Sequence, residues 1–154
     1  MNLKPLKRKE ASKILEQVGQ EYGCDAKKLL IDDHAFFISD KNKIYFINNS
    51  IKEADLTNIR INSFGLYFCE INHDKIRLTI EASQLIGPTA TKNIFEVDDQ
   101  TARSWLKGED IECDQEFEGF VIVKNKADFL SSGRYKEGKI LNFIPKIRRI
   151  MASD

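Results

Sequence analysis

Apolar residues recur with helical spacing at Ile14, Leu15, Val18 and Tyr22, so the stretch from Lys9 to Tyr22 predicts an amphipathic helix that Gly23 ends. After that helix the period changes. Lys28-Leu-Leu-Ile31, Ala35-Phe-Phe-Ile38 and Lys43-Ile-Tyr-Phe-Ile47 are short apolar runs parted by Asp-Asp and Asp-Lys-Asn turns. They read as strands, the second and third forming a hairpin. Ile51 to Thr57 predicts a short helix with Ser50 as its N-cap. Arg60 to Glu70 and Lys75 to Thr79 predict a second hairpin turned at Asn72-His-Asp74, and Ile80 to Leu85 a helix that Gly87-Pro88 breaks.

Pro88-Thr-Ala-Thr-Lys92 reads as a short linker. Beyond it Ile94-Phe-Glu-Val97 is a predicted strand, and Asp98 is placed to cap a helix from about Asp99 to Leu106, stopped at Gly108. Further strands are expected at Phe120–Val123, Phe129–Tyr135 and Lys139–Ile144, with a turn around Pro145. The layout predicts an α+β fold in two parts: an α+β domain at 1–90 and a compact, mainly β domain at 91–154.

Charge changes this picture more than composition does. The formal net charge is zero, but it is unevenly placed. From Ile94 to Glu118 nine acids face only Arg103 and Lys107, a balance of −7, whereas the chain from Gly119 onward carries a balance of +5. Such a split can steer a polyanion to one face and repel it from another. Three widely spaced cysteines, Cys24, Cys69 and Cys113, form neither a disulfide framework nor a zinc knuckle, and Cys69 reads as a small buried hydrophobe. The first residues lead into a charged helix without an apolar h-region, and no apolar run approaches the roughly 18 residues of a membrane span. A soluble, cytoplasmic protein is the expectation.

The most informative stretch lies in the last forty residues, where Phe117-Glu-Gly-Phe-Val-Ile-Val-Lys124 is followed by a run from Phe129 to Arg149. Arg and Lys side chains are threaded there between aromatic and aliphatic ones. Basic groups can meet phosphates and aromatic faces can stack on bases, which suits a nucleic-acid surface. An ordinary strand pair whose solvated face carries lysines reads equally well from residue types alone.

A resemblance adds to this. Phe95-Glu-Val-Asp-Asp-Gln-Thr-Ala-Arg-Ser-Trp-Leu-Lys-Gly108, Gly119-Phe-Val-Ile-Val123 and Gly133-Arg-Tyr-Lys-Glu-Gly-Lys-Ile-Leu-Asn-Phe-Ile-Pro145 together resemble a PUA domain, a small RNA-binding β-barrel. They are similar to the C-terminal module of RNA cytosine methyltransferases of the Sun and nucleolar-protein type. In the first part, Leu29-Leu-Ile-Asp32, the Phe36–Phe46 hairpin, Ser63-Phe-Gly-Leu-Tyr-Phe68 and Lys75-Ile-Arg-Leu-Thr-Ile80 resemble the pre-PUA domain of the Nip-seven family of ribosome-biogenesis factors. The resemblance implies a pre-PUA domain followed by a small PUA-type β-barrel that holds RNA. The first domain would then serve as scaffold or as a surface for a ribosome-assembly or RNA-modifying protein.

Mapped by that resemblance, the RNA-binding candidates are Arg103 and Lys107 on the helix, Arg134, Lys136 and Lys139 on the strand pair, and Lys146, Arg148 and Arg149 at the end. A solvated tail is the bland alternative for the last three. Lys124 and Lys126, in a polar turn, read as solvated. Trp105 sits at core spacing with Ala102, while Tyr135 could face either way.

Catalytic readings fare badly. The chain has no Gly-rich strand-to-helix loop for a cofactor, and none of its cysteines follows a proline. His34 and His73, beside Asp33 and Asp74, read as solvated turn residues, and no His/Cys/Asp set has metal-ligand spacing. The expectation is a non-enzymatic RNA-binding protein of ribosomal RNA maturation, without cofactor or metal. An accessory module that delivers an RNA-modifying enzyme is one alternative. The other is a protein-interaction adaptor whose basic residues are dispersed or paired with the acids at 96–118.

Overall fold

The computed structural model describes residues 3–49 and 66–151. The helix expected at 51–57 with its Ser50 cap, the hairpin's start at Arg60 and the Ser63-Phe-Gly part of the resemblance lie outside the described residues.

The first helix, α1 (Arg8–Tyr22), buries Ala11, Leu15, Val18 and Tyr22, one stripe at helical spacing. The Lys7 N–H donates to Glu10 Oε1 at 2.9 Å at its start. Gly23 ends it in the left-handed region at φ 66°, and a side chain there would also strike the Thr91 hydroxyl, so glycine is required twice over. Residues expected as a strand at Lys28–Ile31 form helix α2 (Ala26–Leu30), because the Asp25 carboxylate accepts the Lys28 N–H at 3.1 Å and caps a helical turn. Ala26 and Leu30, four apart, then share the buried face. A short apolar run does not by itself separate helix from strand.

Strands β1 (Leu3–Pro5), β2 (His34–Ser39), β3 (Lys43–Asn48), β4 (Leu66–Asn72) and β5 (Lys75–Leu78) pair antiparallel in chain order. The expected hairpins β2–β3 and β4–β5 are present, the latter turned at His73 and Asp74, both with positive φ. β1 went unforeseen, since three residues ending in proline display no alternation. His34 also departs from the solvated-turn reading. It opens β2, its Nδ1 lies 3.1 Å from the Leu30 carbonyl, and its ring sits 5.1 Å from that of Phe46.

Helix α3 (Ile80–Ile86), capped by Thr79, leads into a 3-10 turn at Gly87–Thr89. The linker expected here is pinned: the N–H groups of Thr91 and Lys92 both donate to the Tyr22 carbonyl. The second sheet combines β6 (Ile94–Glu96), β7 (Ile111–Glu112), β8 (Phe120–Asn125), β9 (Asp128–Lys136) and β10 (Lys139–Leu141) in the order β6-β8-β9-β10-β7. Only β6 and β8 run parallel. Phe95 of β6 and Glu112 of β7 line one depression, so the two edges of this sheet face each other across a barrel-like interior. Helix α4 (Asp99–Leu106) plugs that interior with Ala102 and Trp105, and Asp98 caps it by accepting the Thr101 N–H at 2.8 Å.

The last strand stops at Leu141, short of the Ile144 expected. Asn142 causes this: its amide donates to the carbonyls of Trp105 and Glu109, while its carbonyl oxygen accepts the Ile144 N–H. The chain leaves the ladder to satisfy the end of α4. The fold is α+β, as expected, with two sheets and four α-helices among the described residues. No helix among them is long and apolar enough to cross a membrane.

The two units share more than a linker. Paired strands alternate faces, so Val121 and Val123 point into the second core while Phe120, Ile122 and Ser132 point out of it. Ile122 is fully buried in the first unit's core, and Ser132 Oγ donates to the Leu78 carbonyl at 2.7 Å.

Candidate nucleic-acid interface

The predicted basic residues fall in three places. Lys136 and Lys139 flank the β9–β10 hairpin and are paired in register, with Glu112 opposite Lys139 on the far side. Like charges placed directly opposite destabilise a hairpin. Both side chains are exposed, and neither makes an ion pair among the described residues. That arrangement favours an anion between them.

Arg103 and Lys107 lie one helical turn apart at the end of α4, where cations also complement the helix dipole. Arg149 joins them, its side chain lying against Gly108 and its Nε donating to the Ile144 carbonyl at 3.0 Å. Arg148 points elsewhere. Its Nη1 meets Glu81 Oε1 at 2.7 Å, across to the first unit. The two arginines after Pro145 therefore act at separate places, with Arg149 partly committed to holding the tail. Lys146 is exposed on the 3-10 turn Lys146–Arg148.

Lys126 pairs with Asp99 at 3.1 Å, and Lys124 lies over the Phe129 ring at 5.2 Å. Hydrogen bonds from Asn125 and Lys126 hold the Asp99 carboxyl below its usual range, and the Thr101 bonds do the same for Asp98. Trp105 is wholly buried and its indole N–H donates to Ser131 Oγ at 2.8 Å, so it packs the core instead of stacking on bases. Tyr135 turns inward as well, edge-on to Phe117.

Residues 92–150 match the family described as the Methyltransferase RsmF PUA domain. This part of the chain matches a PUA-type domain. Its relatives include proteins named ribosomal RNA small subunit methyltransferase F. One from Vibrio vulnificus (strain YJ016) is 23% identical over 114 residues, covering 74% of this chain and 24% of its own length. Another from Aeromonas salmonicida (strain A449) is 24% identical over 143 residues, covering 92% of this chain and 28% of its own. The chain spans about a quarter of the length of these curated relatives. The resemblance to Sun-type methyltransferase modules is thus the part the comparisons carry.

Sequence reasoning passed over one region beside the PUA domain. A cleft enclosing about 190 Å³ opens where the first sheet meets the segment after β10, with Tyr67, Arg77, Phe143 and Arg148 among its walls. The alternation in Lys75-Ile-Arg-Leu78 does place Arg77 away from the core, but nothing in the sequence brings Phe143 to it. The guanidinium lies 5.9 Å from the Tyr67 ring centre and 5.1 Å from that of Phe143. Arg77 also donates to the Tyr67 hydroxyl at 3.0 Å, and burial pushes that phenol up to about 12.

Proposed function

We propose that this chain is an RNA-binding module that holds ribosomal RNA or its precursor through the PUA domain and performs no chemistry itself. The observation that carries the reading is the match of residues 92–150 to a methyltransferase PUA domain, in a unit whose hairpin sets Lys136 beside Lys139. A cytoplasmic place of action belongs to the same reading. The absence of catalysis is supported by the state of the cysteines: burial pushes the thiols of Cys24, Cys69 and Cys113 up, away from the reactive thiolate.

One further observation favours delivery of RNA to a methyltransferase. The alignment with the Aeromonas protein covers 92% of this chain, so the first unit accompanies the PUA domain there too. The adaptor alternative expects the bases dispersed or paired with the acids at 96–118; they are dispersed over three places, but the pairing half of that expectation is nearly absent. Among the described residues, only Lys126 of the bases after residue 118 makes an ion pair with the acids at 96–118.

The test is titration of the full chain with labelled ribosomal RNA fragments over a range of salt. Binding is expected to weaken as salt rises, because phosphate contacts release counterions. The double change Lys136→Ala and Lys139→Ala should lower the log–log salt slope by about 1.5–2, since two phosphate contacts disappear. Lys124→Ala with Lys126→Ala should leave it nearly unchanged. Equal losses from the two pairs would mean a diffuse field with no seat at the hairpin. Incubation of the purified chain with RNA and a methyl donor is expected to yield no modified base, and transfer that survives further purification would overturn the non-catalytic reading.

A further inference from the structure

We infer that the cleft between the two units takes one unpaired nucleobase of a single-stranded RNA, stacked on Phe143 with the Arg77 guanidinium at the base's edge. The inference rests on the RNA-binding reading and extends it to a specific seat outside the basic hairpin. Three observations lead there.

The first is size. At about 190 Å³ the cleft falls below the roughly 300 Å³ of sites that hold drug-sized ligands, which leaves room for a single planar group.

The second is the character of its walls. Phe143 remains 38% exposed although it packs edge-on against Phe120 and has Arg77 over one face, so the exposed part of the ring is held in place at the cleft. Arg77 lies between the Tyr67 and Phe143 rings, and its side chain is 13% exposed, so it borders the cleft with its edge. An exposed aromatic face is a surface on which unpaired bases stack. Arg77 Nε is buried without a hydrogen-bond partner, which is unusual enough in a folded protein to need a reason. A slight turn of the guanidinium toward an acceptor on a base edge would supply one.

The third is charge. Arg148 is matched by Glu81, and Arg77 has Glu70 at 3.7 Å, so the cleft itself is close to neutral. A neutral planar group fits it better than a phosphate does. Cations for the flanking phosphates stand nearby. Arg134 is exposed beside Phe120 in register, and Arg148 would be released from Glu81 by a competing phosphate. Glu81 therefore acts as an internal competitor for the strand.

The experiment uses the full chain and short uridine-rich RNA strands carrying 2-aminopurine at successive positions, each single-stranded and as a duplex. Emission from at least one position is expected to be quenched on binding of the single strand, and from none in the duplex. Phe143→Leu keeps an apolar side chain but removes the stacking face. It should abolish that quenching and weaken single-strand binding about fivefold or more with an unchanged salt slope. Glu81→Gln frees Arg148 and should tighten binding severalfold, an effect that a merely structural ion pair would not produce. Thermal melts of both variants confirm that they fold. Salt-sensitive binding with no quenching at any position, and a Phe143→Leu variant that binds like the parent, would empty the cleft and leave the PUA-domain reading standing. Quenching by duplex as strong as by single strand would also overturn the unpaired base. Absence of any salt-sensitive RNA binding by the full chain would sink both readings together.

Discussion

Trp105→Ala is expected to cost about 3–5 kcal/mol of stability, the range for removing a large aromatic side chain from a core. Trp105 is fully buried at the centre of the second core, wedged under β9 where Gly133 has no side chain. A Cβ at Gly133 would meet the indole ring and the Leu141 carbonyl, so the strand has been cleared for this tryptophan. The change leaves a cavity and also strips Ser131 Oγ of its indole donor. The melting temperature should fall by roughly 10 °C or more. Trp105→Phe weighs the two losses differently, since it keeps much of the volume while removing the hydrogen bond. It should cost about 1–3 kcal/mol through the buried hydroxyl left unpaired. A Trp105→Ala variant that melts like the parent would show that the tryptophan is not the keystone of the PUA domain.

The second large effect is expected at Ile122→Ala, at about 2–5 kcal/mol. Ile122 belongs by sequence to β8 of the PUA domain and by packing to the core of the first unit. Its loss should therefore loosen both units at once. Trp105 fluorescence reports the PUA domain, because the chain has no other tryptophan, and amide exchange at Leu15 and Val18 reports the first core. Both probes should shift together in one transition. A PUA domain that keeps its melting point while the first core exchanges faster would mean that the units fold independently. The same geometry bears on RNA-binding experiments. A fragment beginning near residue 90 would bare Ile122, Phe129 and Ser132, the face that the first core, Gly87 and Leu78 now cover. The full chain is the proper subject.

Much of the fold was legible because local signals and tertiary packing agreed. Helix α1 announces itself by its stripe and by Gly23, and α4 by Asp98 and the Ala102–Trp105 spacing. The hairpins follow from apolar runs parted by turn residues. The strand expected at Lys28–Ile31 failed because a run of three apolar residues carries no period, and the cap at Asp25 decided it as a helix. The strands β1 and β7 are too short for alternation to appear, and Asn142 ended β10 through bonds to a helix more than thirty residues away in sequence.

By itself, the sequence determined the fold class, the core position of Trp105, the uneven charge and the resemblance to a PUA module, because each depends on residue types at short spacing. Only the tertiary structure decided that Lys136 and Lys139 stand side by side, that Arg148 and Arg149 part company, and that the supposed linker is pinned to Tyr22. It alone set Arg77 between Tyr67 and Phe143. Those outcomes depend on which strand faces which and on which hydrogen-bonding groups are left unmet when two sheets close on each other. Such contacts join residues far apart in the chain, and no local pattern of hydrophobic and polar positions encodes them.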